Sequence, residues 1–229
     1  MTYESFGKEI PMRTTTRDSS VLVGRGLTKH IDGRTLWRDL DVDLEPRTIT
    51  ALTGVSGSGK TTLLNVLGLL DAPSSGELRL GERRLSGISG KDTRRLYREH
   101  FAFLFQNYAL VEQWTVRANL ELALRSIGVG KRARASRIRD ALESVGLGER
   151  EKSRVYTLSG GEQQRVAIAR VIAHRPTIVL ADEPTAALDA DNAHTVKEHL
   201  RRIADDNAVV VLTTHDTDME HFADHILRL

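Results

Sequence analysis

The sequence predicts an α/β protein with a mainly parallel core sheet and a helical insert, and three observations predict it. Residues 177–181 (TIVLA) and 209–213 (VVVLT) are apolar almost throughout, as strands buried on both faces are. A glycine-rich loop at 54–61 lies between a strand-like run and an apolar helical run. The stretch from about 91 to 172 is mostly helical in pattern, so strands and helices alternate along the chain.

Taken in order, residues 1–20 are polar, lack an apolar signal core and read as a tail. Residues 39–45 (DLDVDLE) alternate as a half-buried strand with an acidic outer face. Pro46 and Arg47 turn the chain into a second strand, Thr48 to Leu52. An arginine at that turn suggests that no positive φ is needed there. The glycine loop follows, then a helix from Thr61 to Leu70. Residues 71–76 (DAPSSG) form a turn cluster, and 77–80 (ELRL) another short strand.

Composition excludes several chemistries. The chain has 229 residues, 40% hydrophobic and 28% charged, enough for one sizeable α/β domain. The absence of cysteine removes disulfides, thiolate metal sites and cysteine nucleophiles, and fits a cytoplasmic setting. A net charge of +2 gives no case for a nucleic-acid partner. The longest apolar stretch, Leu63 to Leu70, is broken by Asn65 and Gly68 and is far below the roughly 18 residues a membrane span needs. Any membrane role is therefore expected to be peripheral.

The loop reads Gly54-Val55-Ser56-Gly57-Ser58-Gly59-Lys60-Thr61, followed by Thr62, and matches G-x-x-x-x-G-K-[ST]. Its glycines let backbone N–H groups turn inward around phosphates. Lys60 supplies a charge for the β and γ phosphates, and the Thr61 hydroxyl a ligand for Mg²⁺. The helix N-terminus adds a dipole that favours anions. A second element, 178–183 (IVLADE), is an apolar strand that delivers Asp182 and Glu183 at its C-terminal end. Ligands of open α/β sheets bind at that edge. Asp182 is the candidate Mg²⁺ ligand, and Glu183 the group that orients and polarises the attacking water. A third element, 158–165 (LSGGEQQR), has capping-box spacing between Ser159 and Glu162 and opens another helix, with Pro176 just past its end.

This octapeptide resembles the signature motif of ATP-binding cassette (ABC) ATPases. The resemblance spans about residues 21–229 and implies a P-loop core of ABC type, with an N-terminal antiparallel β subdomain and a helical subdomain at about 91–172. It assigns further residues. Gln106, after FAFLF, matches the Q-loop glutamine that senses the γ phosphate and Mg²⁺ and faces a permease. Ala187, Leu188 and Asp189 match the D-loop, and His215 the switch histidine that contacts the γ phosphate. The family's adenine-stacking aromatic falls at Ile31, with His30 beside it as the alternative, which implies weak base selectivity. Two such domains are expected to face head to tail, with ATP between residues 54–62 of one chain and Ser159, Gly160, Gly161 and Gln163 of the other. A homodimer is the simple expectation.

Two stretches, 63–76 (LLNVLGLLDAPSSG) and 105–116 (FQNYALVEQWTV), resemble the macrolide-exporter, lipoprotein-releasing and bacteriocin-export group. That implies a separate integral membrane permease as partner, at the cytoplasmic face of the membrane. The chain ending at Leu229 is expected to lack the regulatory domain of many sugar importers. Basic residues at 91–98 and 131–139 read as solvated helix faces, while Tyr97, Tyr108 and Trp114 lie in the region expected to face the permease. The rival reading is a soluble ABC ATPase acting on DNA or the translation machinery. The short, heptad-free stretch between Lys60 and Leu158 and the single cassette speak against it. Intact Lys60, Glu183 and His215 oppose a catalytically dead module.

Overall fold

The structure is a computed structural model and describes residues 21–186 and 188–229. The tail read at 1–20 and Ala187 of the D-loop lie outside the described residues.

The first layer is antiparallel. Strands β1 (Leu22–Ile31) and β2 (Arg34–Leu44) form a hairpin, joined through Asp32 and Gly33. Leu40, Val42 and Leu44 of β2 turn inward while Asp39, Asp41 and Asp43 stay exposed, as the alternation predicts. After β3 (Ile49–Thr53) and helix α1 (Lys60–Leu67), strand β4 (Ser75–Leu80) pairs with β1, and β5 (Arg83–Arg84) completes the order β2-β1-β4-β5.

Helix α2 (Gly90–Glu99) leads into β6 (Phe101–Leu104), followed by α3 (Val116–Ser126), α4 (Lys131–Ser144) and α5 (Gly160–His174). The rest is β7 (Ile178–Asp182), α6 (Ala190–Asp205), β8 (Val209–Thr213), α7 (Thr217–Phe222) and β9 (His225–Arg228). The second sheet has the order β6-β7-β8-β3-β9 and is parallel throughout.

This parallel sheet has two dry faces. Ala51, Val179, Ala181, Val210 and Leu212 pack with buried residues of α3 to α7 on one side. Leu52, Ile178, Leu180, Val209 and Val211 pack against α1 and the antiparallel layer on the other. Both faces are covered, which is why the strands read as mainly apolar runs, broken only by threonines such as Thr50 and Thr213. Each Val, Leu or Ile among them contributes about 1.5–3 kcal/mol on burial.

Four local expectations are corrected. Residues 101–104, inside the stretch expected to be helical, form core strand β6. Helix α1 stops at Leu67, because Gly68 abuts Phe103 and Leu180 closely and Leu69 turns to φ 58°. Arg47 does adopt a positive φ, 67°, where its N–H donates to the Ala208 carbonyl at 2.9 Å and fixes the turn. The basic residues of 91–98 are exposed as read, but Arg134 and Arg137 of α4 are half-buried. Among the described residues, no helix is long and apolar enough to cross a membrane.

Candidate functional site

The register of the parallel sheet assembles the site. Leu52 of β3 and Asp182 of β7 both pair with Thr213 of β8, and Leu104 of β6 pairs with Ala181. Gly54, Gln106, Glu183 and His215 each follow within two residues of that row. Parallel strands of nearly equal reach thus bring four separated sequence elements to one sheet edge.

The loop wraps the start of α1. Gly54, Gly57 and Gly59 adopt φ 142°, 77° and 99°, a region where a side chain is strained. At Gly54 a Cβ would meet the Leu229 carbonyl and Ser58 Oγ, and at Gly59 the Trp37 indole and Leu36. Val55, Ser56 and Gly57 are exposed, and Thr62 is half-buried. Lys60 Nζ donates to the carbonyls of Gly54 (2.9 Å) and Val55 (3.2 Å). Positive-φ glycines at the start of a helix, with Trp37 beside Gly59, make a loop whose composition fits a phosphate chain.

Beside it runs a chain of hydrogen bonds. Thr61 Oγ1 donates to Asp182 Oδ1 at 3.0 Å, and Thr213 Oγ1 donates to the same oxygen at 2.6 Å. The Glu183 N–H donates to Thr213 Oγ1 at 2.9 Å. Glu183 Oε2 lies 2.9 Å from His215 Nδ1, with the histidine largely exposed and the glutamate mostly covered. Glu183 sits at φ 46°, uncommon for a glutamate. Its backbone is held there by Thr213 on one side. On the other, the buried Gln164 of α5 donates to the Pro184 carbonyl at 2.8 Å. Thr61 and Asp182 offer hard oxygens, and among the described residues no group of three or more His, Cys, Asp or Glu could hold a metal. That donor set fits Mg²⁺, which takes one or two protein ligands and completes its shell with substrate phosphates and water.

The remaining predicted residues fall in three places. Gln106 is exposed in the turn after β6, at the same sheet edge. Ile31 is 40% exposed at the β1–β2 hairpin, and His30 Nδ1 lies 3.0 Å from Thr35 Oγ1. Ser159 caps α5 in the full capping box with Glu162, and Gln163 donates to the Leu158 carbonyl at 3.1 Å. Gly160 and Gly161 open that helix. Asp189 caps α6 through the Asn192 N–H at 2.8 Å. Asn192 also binds the Asp189 carboxylate through its side chain, accepts from Arg165 at 2.6 Å, and leaves no room for a Cβ on Gly161. No hydrogen bond or ion pair among the described residues joins Ser159–Gln163 to residues 54–62.

The loop after Gln106 is tied to α5 by Arg170, which donates to the carbonyls of Ala109 (2.6 Å) and Tyr108 (2.9 Å). Burial pulls this guanidinium below the usual arginine range. A groove of about 220 Å³ lies alongside, lined by Tyr97, Phe103, Phe105, Ile127 and Arg170. Phe103 and Phe105 stack at 5.6 Å. Thr213, Gln164, Asn192 and Trp37 were not singled out by sequence. Gln164 lies inside the octapeptide 158–165 but carried no role there, and Asn192 left a trace only as the third residue after Asp189.

A glycine cradle at a helix start, with a Thr–Asp–Glu–His chain at the carboxyl edge of a parallel sheet, defines a P-loop nucleotide-binding domain. The comparisons narrow this class. A sequence model described as ABC transporter matches residues 37–186, and the chain belongs to that family. It is 43% identical over 178 residues to macrolide export ATP-binding/permease protein MacB 1/2 of Paracoccus denitrificans, covering 78% of this chain and 27% of that protein. Against MacB of Bartonella quintana it is 34% identical over 221 residues, covering 95% and 34%. The chain therefore spans about a third or less of the length of these curated relatives.

Among solved structures, MJ0796, a bacterial ABC transporter cassette described as dimeric, superposes with a TM-score of 0.82 at 29% identity. It covers 91% of this chain and 94% of that one. The same cassette in a dimeric post-hydrolysis state bound to ADP and Pi gives 0.81 at 29% identity, with the same coverage. The fold of this chain is that of the family's ATP-binding cassette.

Proposed function

We propose that this chain is the ATP-hydrolysing subunit of an ABC exporter of the macrolide, lipoprotein or bacteriocin type. It works as a dimer on a permease at the cytoplasmic face of the membrane. The observation that carries the reading is the bonded chain Thr61–Asp182–Thr213–Glu183–His215 beside the phosphate cradle.

Residues 54–62 hold the phosphates, with Lys60 neutralising charge on the β and γ groups. Thr61 and Asp182, with Gln106 at the same edge, hold Mg²⁺, which when bound withdraws charge from the phosphate oxygens. Glu183 takes the proton of the attacking water, and His215, 2.9 Å from its carboxylate, orients it and contacts the γ phosphate. Most of the catalysis is positioning and charge neutralisation. Ile31 or His30 borders the adenine.

Among the described residues, no hydrogen bond or ion pair joins Ser159, Gly160, Gly161, Gln163 or Asp189 directly to residues 54–62 of their own chain. A second copy supplies them, closing over ATP from the opposite side. The dimeric cassettes support this arrangement, and the names of the MacB relatives support an export role beside a permease. The groove beside Phe105 is where a permease segment docks, next to Gln106.

The test is Glu183→Gln, with phosphate release measured alongside light scattering in ATP. Turnover falls about 10²-fold or more while an ATP-bound dimer accumulates. Wild-type turnover in this variant overturns the role of Glu183.

A further inference from the structure

Far along α5 and α6 from Ser159 and Asp189, the last turns of both helices enclose a second cavity. It has a volume of about 420 Å³, within the range of small-molecule sites. Its apolar wall is Val171, Ile172 and Ile203. Its charged lining is unbalanced: Arg175 and Arg202, both exposed at the rim, against Asp206, the one acid among the described lining residues. Arg202 has only a loose 3.6 Å pair with the exposed Glu198, and Arg175 has no ion-pair partner among the described residues.

His199 gives the independent observation. It is 4% exposed and lines the cavity, yet its side chain makes no hydrogen bond among the described residues. Burial, then the neighbouring Arg202, holds its imidazole below the usual range. A largely covered ring without a protein hydrogen-bond partner, lining the same cavity as Arg175 and Arg202 and its aliphatic wall, matches a ligand with an anionic head and an apolar body.

We propose that this cavity is a binding site for an amphipathic carboxylate, its head held by Arg175, Arg202 and His199 and its chain laid on Val171, Ile172 and Ile203. Free carboxylates and the cleaved acyl chains of lipids share this chemistry. The site is separate from the phosphate cradle, so its occupancy is read without ATP.

The experiment titrates octanoate into the full chain. It follows binding by calorimetry and the His199 ring by ¹H–¹³C correlation NMR. A probe of about ten heavy atoms is expected to bind with a dissociation constant of about 0.1–1 mM and to shift the His199 signal. Arg202→Ala, and Arg175→Asn chosen to suit the left-handed backbone at φ 60°, each weaken binding about tenfold. Unchanged thermal unfolding shows that both variants remain folded. Octylamine, with the same chain and opposite charge, does not bind. Octanoyl-lysophosphatidic acid binding while octanoate fails overturns the carboxylate head. The site is refuted outright by no saturable octanoate binding up to about 10 mM, or by equal binding of octanoate and octylamine.

Discussion

Thr213 is the residue whose replacement tests the assembly of the site most directly. Its side chain is fully buried, and its hydroxyl donates to Asp182 at 2.6 Å while accepting the Glu183 N–H at 2.9 Å. Thr213→Val keeps the shape and removes both bonds. The bond to a carboxylate is worth about 1.5–3 kcal/mol, and leaving the Glu183 N–H unpaired costs about 1–3 kcal/mol. Asp182 retains Thr61, so a net loss of about 2–4 kcal/mol is expected in urea unfolding. Freed from Thr213, the φ 46° conformation of Glu183 loses one of its two anchors, and a shift of order 1 Å lowers kcat about 10²-fold.

Thr50→Val is the matched control. Thr50 is also a buried threonine in this sheet, but its Oγ1 has no partner among the described residues, so the change is neutral or stabilising by up to about 1 kcal/mol. A loss below about 0.5 kcal/mol for Thr213→Val, with kcat within twofold of wild type, refutes the reasoning.

Gly161→Ala places a Cβ 2.6 Å from the Asn192 side chain; it is expected to destabilise by about 1–3 kcal/mol and weaken ATP-driven dimerisation, with Asn192→Ala restoring part of both. The Lys29 ammonium, 2.7 Å away, holds the Asp71 carboxyl below its ordinary value of 3.8, so its contribution is present above that pH and fades as pH falls through the lower folded value. The stability gap between wild type and Asp71→Asn should accordingly be full at pH 6 and shrink in urea melts taken below pH 3.8. With Trp114→Phe leaving Trp37 as the sole indole, emission is expected to change on ATP addition, since that ring touches Gly59; a flat titration with proven ATP binding would contradict this contact.

What the sequence disclosed and what it hid divide along physical lines. Residues 54–61 and 178–183 were legible because phosphate chemistry dictates their types and spacing, and burial on both faces dictates their flanks. Strand β6 was hidden because four apolar residues between helical stretches carry too short a period to separate strand from helix. The helix end at Leu67 depends on Phe103 and Leu180, which come from other strands. Thr213 was invisible for a similar reason: at the end of an apolar run it looks like a β-branched core residue, and only the register beside Asp182 gives its hydroxyl a task. Arg47 misled because its positive φ is set by a long-range bond to Ala208 rather than by its own preference.

The tie between Arg170 and the loop after Gln106 has a mechanical consequence. Tyr108 and Ala109, whose carbonyls it grips, stand at φ 61° and 46°, where neither residue rests by choice. Small excursions of that loop are resisted by the grip and by the narrowness of the left-handed basin alike. The segment therefore acts as a latch. It travels with α5 as one body, or it lets go of both carbonyls together and strands a buried cation. A displacement of the loop after Gln106 is therefore expected to reach Ser159, the cap of that same helix, as a discrete throw rather than a graded strain.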